Sequence, residues 1–124
     1  MDREMPRVPT VYVSGPSTGY KDCNVKAFKA AEKLLLHLGF EVINPMTPED
    51  KPFPEDGKVD DKSWLEYILR DIRLITQCDI LYQLPDWERS FGASIEHFVA
   101  VRLKKLIMCH ENWSYADDKE EGNE

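Results

Sequence analysis

The spacing of apolar residues changes period several times along the chain, and each change marks an element. Residues Val8–Ser14 form a short β-branched run that stops at Gly15-Pro16, a pair through which neither strand nor helix continues. Val25, Phe28, Ala31, Leu35 and Leu38 then recur at helical spacing. They predict a helix that opens on Asn24 as N-cap and closes at Gly39 in the left-handed conformation. Phe40–Asn44 reads as a second strand, closed by Pro45. Residues 45–60 hold four prolines and several acids and predict a long loop, of the kind that serves as a lid or stays disordered. A second helix is expected from about Lys62 to Gln77, capped by Asp60 or Asp61. After it come a strand at Ile80–Leu84, a helix at Phe91–Lys104 and a strand at Leu106–Cys109. The stretch 113–124 is polar and acidic and reads as a frayed tail, leaving an ordered body over about 7–112.

Short apolar strands alternating with helices imply parallel pairing through right-handed crossovers. The expected fold is therefore a single α/β domain spanning 1–124, a flavodoxin-like three-layer sandwich. Its parallel sheet should have four to five strands in the order 2-1-3-4. In that order the topological switch lies between strands one and three, and ligands bind beyond their carboxyl ends. The loops at 15–21 and 85–91 are thus the ones to search for chemistry.

Composition narrows the partners. A length of 124 residues suits one domain, and a formal net charge of −7 argues against a nucleic-acid polymer, which needs a basic face. A small anion remains compatible, since backbone N–H groups and hydroxyls can hold one locally. No apolar run approaches a membrane span, and Met1–Pro6 lacks the features of a secretory leader, so no membrane association and a cytoplasmic location are expected. Three cysteines (Cys23, Cys78, Cys109) lie far apart, without zinc-type pairs, and read as reduced thiols. Cys78 and Cys109 suit buried filler. No metal or organic cofactor is expected.

The loop Ser14-Gly15-Pro16-Ser17-Thr18-Gly19-Tyr20 offers glycines for close backbone approach and hydroxyls for a phosphate, or is a plain Gly/Pro turn. It lacks the spacing and lysine of a triphosphate-binding loop. The second loop runs from Pro85 to Glu96. Ser90 can cap the following helix beside Arg89, making an anion site, and Trp87 can stack on a base or serve as a rim or interface anchor. Glu96 shares a helix face with Gly92, Val99, Ala100 and Leu103, where a carboxylate is out of place unless it sits at the edge of the stripe. Asp71 lies inside the apolar arc of its helix, among Trp64, Tyr67, Leu74 and Ile75, while Glu66, Arg70 and Arg73 form the polar face. A charge there needs a partner, such as an arginine, or a job. His37 and His97 read as helix-surface residues. Two half-buried carboxyls and Tyr12, late in strand one, suit glycosidic cleavage: one carboxylate traps the sugar cation and a second acid protonates the departing base.

These residues also carry a resemblance. Val11-Tyr12-Val13-Ser14-Gly15-Pro16, Asn44-Pro45, Asp71 ahead of Cys78-Asp79, and the run Leu84–Glu96 resemble the nucleoside 2-deoxyribosyltransferase superfamily. The nearest branches are the deoxynucleoside 5′-monophosphate N-hydrolases and, closer still, a partly phage-borne group within the superfamily. The resemblance implies Glu96 as nucleophile, Tyr12 as the residue positioning it and Asp71 as the acid assisting the leaving base. It implies Ser90 and the loop Gly15, Pro16, Ser17, Thr18 and Gly19 as the region that holds the 5′-phosphate. Arg89, Gly92 and Trp87 stand beside them as further substrate-binding candidates read from the residues, Trp87 at a base or as a rim or interface anchor. Pro16 and Thr18 stand where the monophosphate hydrolases carry a serine and an arginine. The resemblance further implies a homodimer or higher homo-oligomer whose neighbouring subunit completes the site, with Asn112 or Ser114 in that part. The expected activity is an N-glycosidase acting on a (deoxy)nucleoside or its 5′-monophosphate. Alternatives are a deoxyribosyltransferase, a non-catalytic nucleotide-binding module, and an interaction protein using Trp87, Trp113 and the acidic tail.

Overall fold

Four short strands and three helices alternate along the chain in a computed structural model that describes residues 7–47 and 60–110. The strands are β1 (Thr10–Ser14), β2 (Glu41–Ile43), β3 (Ile80–Gln83) and β4 (Leu106–Cys109), and the helices are α1 (Val25–His37), α2 (Asp61–Ile75) and α3 (Phe91–Arg102). The sheet is wholly parallel in the order β2-β1-β3-β4, the flavodoxin-like arrangement the alternation predicts. Among the described residues it has four strands, the lower of the expected numbers. The proline-rich stretch 48–59 and the tail with Asn112, Trp113 and Ser114 lie outside the described residues.

Alternation along the central strands divides the core in two. Val11, Val13, Ile80 and Tyr82 face one side of the sheet, where α1 lays Val25, Phe28, Ala31 and Leu35 against them. Tyr12 and Leu81 face the other, against Ile75 of α2 and Ala100 of α3. Complete burial of Phe28 and Leu35 contributes about 2 kcal/mol each to stability. The register sets Ser14 opposite Gln83, so these polar residues end β1 and β3 side by side on the α2/α3 face.

Helix ends follow their cap chemistry, with one exception. Asp60 accepts from the Ser63 N–H at 2.8 Å and Ser90 Oγ from the Ala93 N–H at 3.1 Å, opening α2 and α3. Gly39 takes φ +99° and ends the first helix as predicted. Asn24, predicted as a cap, makes no side-chain cap bond; its Nδ2 donates instead to the Pro16 carbonyl at 2.9 Å. It ends a run of left-handed residues, Asp22, Cys23 and Asn24, with φ of 51°, 55° and 61°. The helix start is thereby fastened to the loop after β1.

Several boundaries shift. The first strand pairs only from Thr10, and α2 and α3 stop at Ile75 and Arg102, each about a turn before the last predicted residue at most. Leu38, Leu65, Leu69 and Leu103, assigned to apolar stripes from periodicity, are about half exposed, as is Val101; Phe91 and Phe98 are more so. Cys78 is buried as expected, its thiol donating to the Ile75 carbonyl at 3.2 Å, while Cys109 is only partly covered. No helix of the described residues is long and apolar enough to cross a membrane.

Candidate active site

A cleft opens at the carboxyl ends of β1, β2 and β3, where the strand order reverses. It is lined by Gly15, Ser17 and Thr18 after β1, Pro45 and Met46 after β2, and Ser90, Gly92, Ala93 and Glu96 from the start of α3. Phe28 of α1 and Trp64, Tyr67, Ile68 and Asp71 of α2 complete it, around about 420 Å³ of empty space that includes its open mouth. Stacked rings of Trp64 and Phe91, 5.5 Å apart and 6° from parallel, join α2 to α3 beside it. Among the described lining residues there is no lysine, arginine or histidine.

Glu96 is 5% exposed and held from beneath by β1. Tyr12 Oη donates to its Oε2 at 3.0 Å and Ser14 Oγ to its Oε1 at 2.6 Å. Residues two apart on a strand share a face, so β1 presents both hydroxyls to one carboxyl group. Burial pushes the Glu96 carboxyl well above the usual range, and the Asp71 charge adds to this. Asp71, 6% exposed, hydrogen-bonds with Glu96; burial raises its carboxyl too, against the pull of Arg70. Two acids this close ionise as one unit, and a single shared proton satisfies both their hydrogen bond and their mutual repulsion. Burial first, and Glu96 second, drive the Tyr12 phenol upward, so it remains a neutral donor.

Asp71 also has the arginine partner its helical position called for. Arg70 Nε and Nη2 donate to Asp71 Oδ1 at 3.0 and 2.9 Å. Arg70 thus leaves the polar face assigned to it beside Glu66 and Arg73 and bends back over α2.

Of the other residues singled out in the sequence, Gly15, Ser17, Thr18, Ser90 and Gly92 line the cleft, whereas Pro16, Gly19, Trp87 and Arg89 do not. Arg89 is exposed in the helical turn Trp87–Arg89. Trp87 stacks on His97, centroids 4.4 Å apart and planes 20° from parallel. His97 is accordingly no plain surface residue: its Nδ1 lies 2.9 Å from Gln83 Oε1. The Gln83 Nε2 is buried and has no partner among the described residues. Gly15 is small for the fold's sake: a Cβ there would meet the Leu84 Cβ at 2.7 Å. Gly92 plays a similar part between helices, where a Cβ would lie 3.1 Å from Ile68 Cδ1.

Sequence reasoning missed Ser14, although the two-residue repeat of β1 places it on the Tyr12 face. It also missed the apolar wall of Phe28, Trp64, Tyr67 and Ile68, residues of the helix patterns, and of Met46, which lies in the stretch read as a loop.

Fold and cleft together define an α/β flavodoxin-like domain with a buried pair of carboxyl groups at the switch point of its sheet. The chain belongs to the family described as Domain of unknown function (DUF4406), which matches residues 9–109. No curated protein matches the chain.

Proposed function

We propose that the protein is an N-glycosidase that cleaves the base–sugar bond of a (deoxy)nucleoside or its 5′-monophosphate. The observation that carries this reading is the Glu96 carboxyl, buried at the cleft, held by two hydroxyls of β1 and hydrogen-bonded to a second acid. A surface glutamate has no such frame, and acids with raised pKa values concentrate where protons are moved.

In the proposed reaction the pair begins with one proton. Asp71 delivers it to the base nitrogen as the C1′–N bond breaks, and the bonding electrons leave with the base. A Glu96 oxygen forms the ester bond to C1′. Tyr12 and Ser14 fix the nucleophile's plane and leave its attacking lone pair free. Water then attacks C1′ and gives a proton to Asp71, the ester bond breaks, and the original single-proton state returns. The hydroxyls of Ser17, Thr18 and Ser90 suit the sugar end of the substrate, and the wall of Trp64, Tyr67 and Met46 suits the base.

The resemblance to the nucleoside 2-deoxyribosyltransferase superfamily agrees with these assignments. A free base in place of water would make the same site a transferase, which product analysis with added base separates. A homodimer or higher homo-oligomer in the cytoplasm completes the proposal; the exposed Phe98 and Val101 of α3 support self-association. The test is incubation with a panel of ribo- and deoxyribonucleosides and their 5′-monophosphates, following free base by chromatography, with Glu96→Ala alongside. Base release by the wild type alone supports the reading. Binding without release by either protein sinks it in favour of a binding module.

A further inference from the structure

Arg70 has no part in the reaction as written, yet its side chain is committed on several sides. Besides its two bonds to Asp71 Oδ1, Nη2 donates to the Pro45 carbonyl at 3.1 Å, and the guanidinium carbon lies 5.2 Å from the centroid of the Tyr67 ring. Pro45 and Tyr67 both line the cleft. Arg70 thus ties α2 to the segment after β2, and both of its bonds to the acid fall on one oxygen. Asp71 also hydrogen-bonds with Glu96 and with Tyr12.

We propose that Arg70 is a positioning residue that holds Asp71 by Oδ1 and fixes the pair's negative charge on Asp71, so that Glu96 carries the shared proton until substrate binds. The catalytic consequence rests on the N-glycosidase reading; the placement of the proton does not.

The groups facing the pair come from three elements. β1 supplies Tyr12 and Ser14, α2 supplies Arg70, and α3 supplies Glu96 itself. Tyr12 stays protonated and Ser14 does not titrate, so among these groups Arg70 alone brings a positive charge. It touches Asp71 rather than Glu96. Coulomb attraction therefore favours the arrangement with Asp71 ionised and Glu96 neutral over its mirror image. An ionised Asp71 is also a competent relay: it accepts the Glu96 proton, passes it to the departing base, and leaves Glu96 as the carboxylate that bonds C1′. Without Arg70 the pair holds both protons to higher pH, and a neutral Glu96 with no ionised neighbour cannot become the nucleophile.

Carboxyl carbon NMR titration of the full-length protein, with Glu96→Gln and Asp71→Asn assigning the two signals, tests this directly. In the wild type the protonated signal at neutral pH belongs to Glu96, and Asp71 titrates at lower pH. In Arg70→Met both signals titrate at higher pH, and Arg70→Lys returns them most of the way. On whichever substrate releases base, Arg70→Met lowers kcat at least tenfold with KM within about twofold and moves both limbs of the pH profile upward. Arg70→Lys recovers the limbs but not the full kcat, because one ammonium cannot replace a fork of donors. Should Arg70→Met fail to fold, Arg70→Gln carries the same comparison. Carboxyl titrations unmoved by loss of Arg70 overturn the proposal and leave Arg70 as a staple between α2 and Pro45. If the wild type releases no base, the glycosidase reading fails while the titration still decides the role of Arg70.

Discussion

Replacing Glu96 by glutamine should make the protein more stable, and increasingly so as pH rises. Glu96 has an ordinary carboxyl value of 4.5, and burial followed by the Asp71 charge raises it well above that in the folded chain. Above pH 4.5 the unfolded chain releases this proton while the folded chain retains it. The folded state then binds one proton more than the unfolded state, so stability falls as pH rises, by about 1.4 kcal/mol per unit, until the folded group itself ionises. Between pH 5 and pH 7 the loss reaches about 2.7 kcal/mol if the proton is held throughout. Glutamine keeps the shape, accepts from Tyr12 or Ser14 through its oxygen, and donates to Asp71 through its amide. No proton is then taken up on folding at this position, and the slope vanishes. Urea unfolding at pH 5, 6 and 7, followed by far-ultraviolet circular dichroism, measures both curves, and their difference cancels every titrating group that does not interact with Glu96. The variant should match the wild type near pH 5 and exceed it by roughly 2 kcal/mol at pH 7. Parallel curves would refute the reasoning, because they would mean that folding moves no proton at Glu96.

Other expectations can be checked with simpler means. Tyr12→Phe removes the donor 3.0 Å from Glu96 Oε2 and should lower kcat on the order of 10²-fold, while costing about 1 kcal/mol in thermal unfolding. Gly15→Ala places a Cβ 2.7 Å from that of Leu84 and should cost about 1–3 kcal/mol in urea unfolding; adding Leu84→Gly, which removes that Cβ, should make the double variant less unstable than the two single losses summed. Because no cation lines the cleft among the described residues, while two carboxyl groups do, nucleosides should be cleaved with at least about tenfold higher kcat/KM than their 5′-monophosphates. Light scattering should give a dimer or larger, and Phe98→Asp, at a side chain 67% exposed, should reduce it to monomer without unfolding it.

How far the sequence discloses the site depends on what each residue's neighbours in the chain reveal. Tyr12 and Glu96 are legible because a polar group at an apolar position of a strand or helix face is visible from period alone, and both are buried where that argument places them. Asp71 is legible for the same reason, as is its need of a cation. Which cation is not: Arg70 lies on the polar face of the helical wheel, and only the flexibility of a long side chain lets it bend back to the next residue. The surroundings of Trp87 are hidden in the sequence for a similar reason. Its loop is at the cleft, yet its ring stacks on His97 of α3, which no local pattern foretells. The strand order follows from alternation of elements, whereas the exposure of Leu65, Leu69 and Phe98 does not, since period shows which residues share a face and not what covers it.

The hydrogen bond between Tyr12 and Glu96 closes a span of 84 residues, among the longest separations bridged by a side-chain bond among the described residues. Loops of that length close late, after the parallel strands between them have paired. The carboxyl group proposed as nucleophile should therefore stay unaimed until that late contact forms. Recovery of base release during refolding should lag behind recovery of helix signal, making this site a clock for the last step of folding.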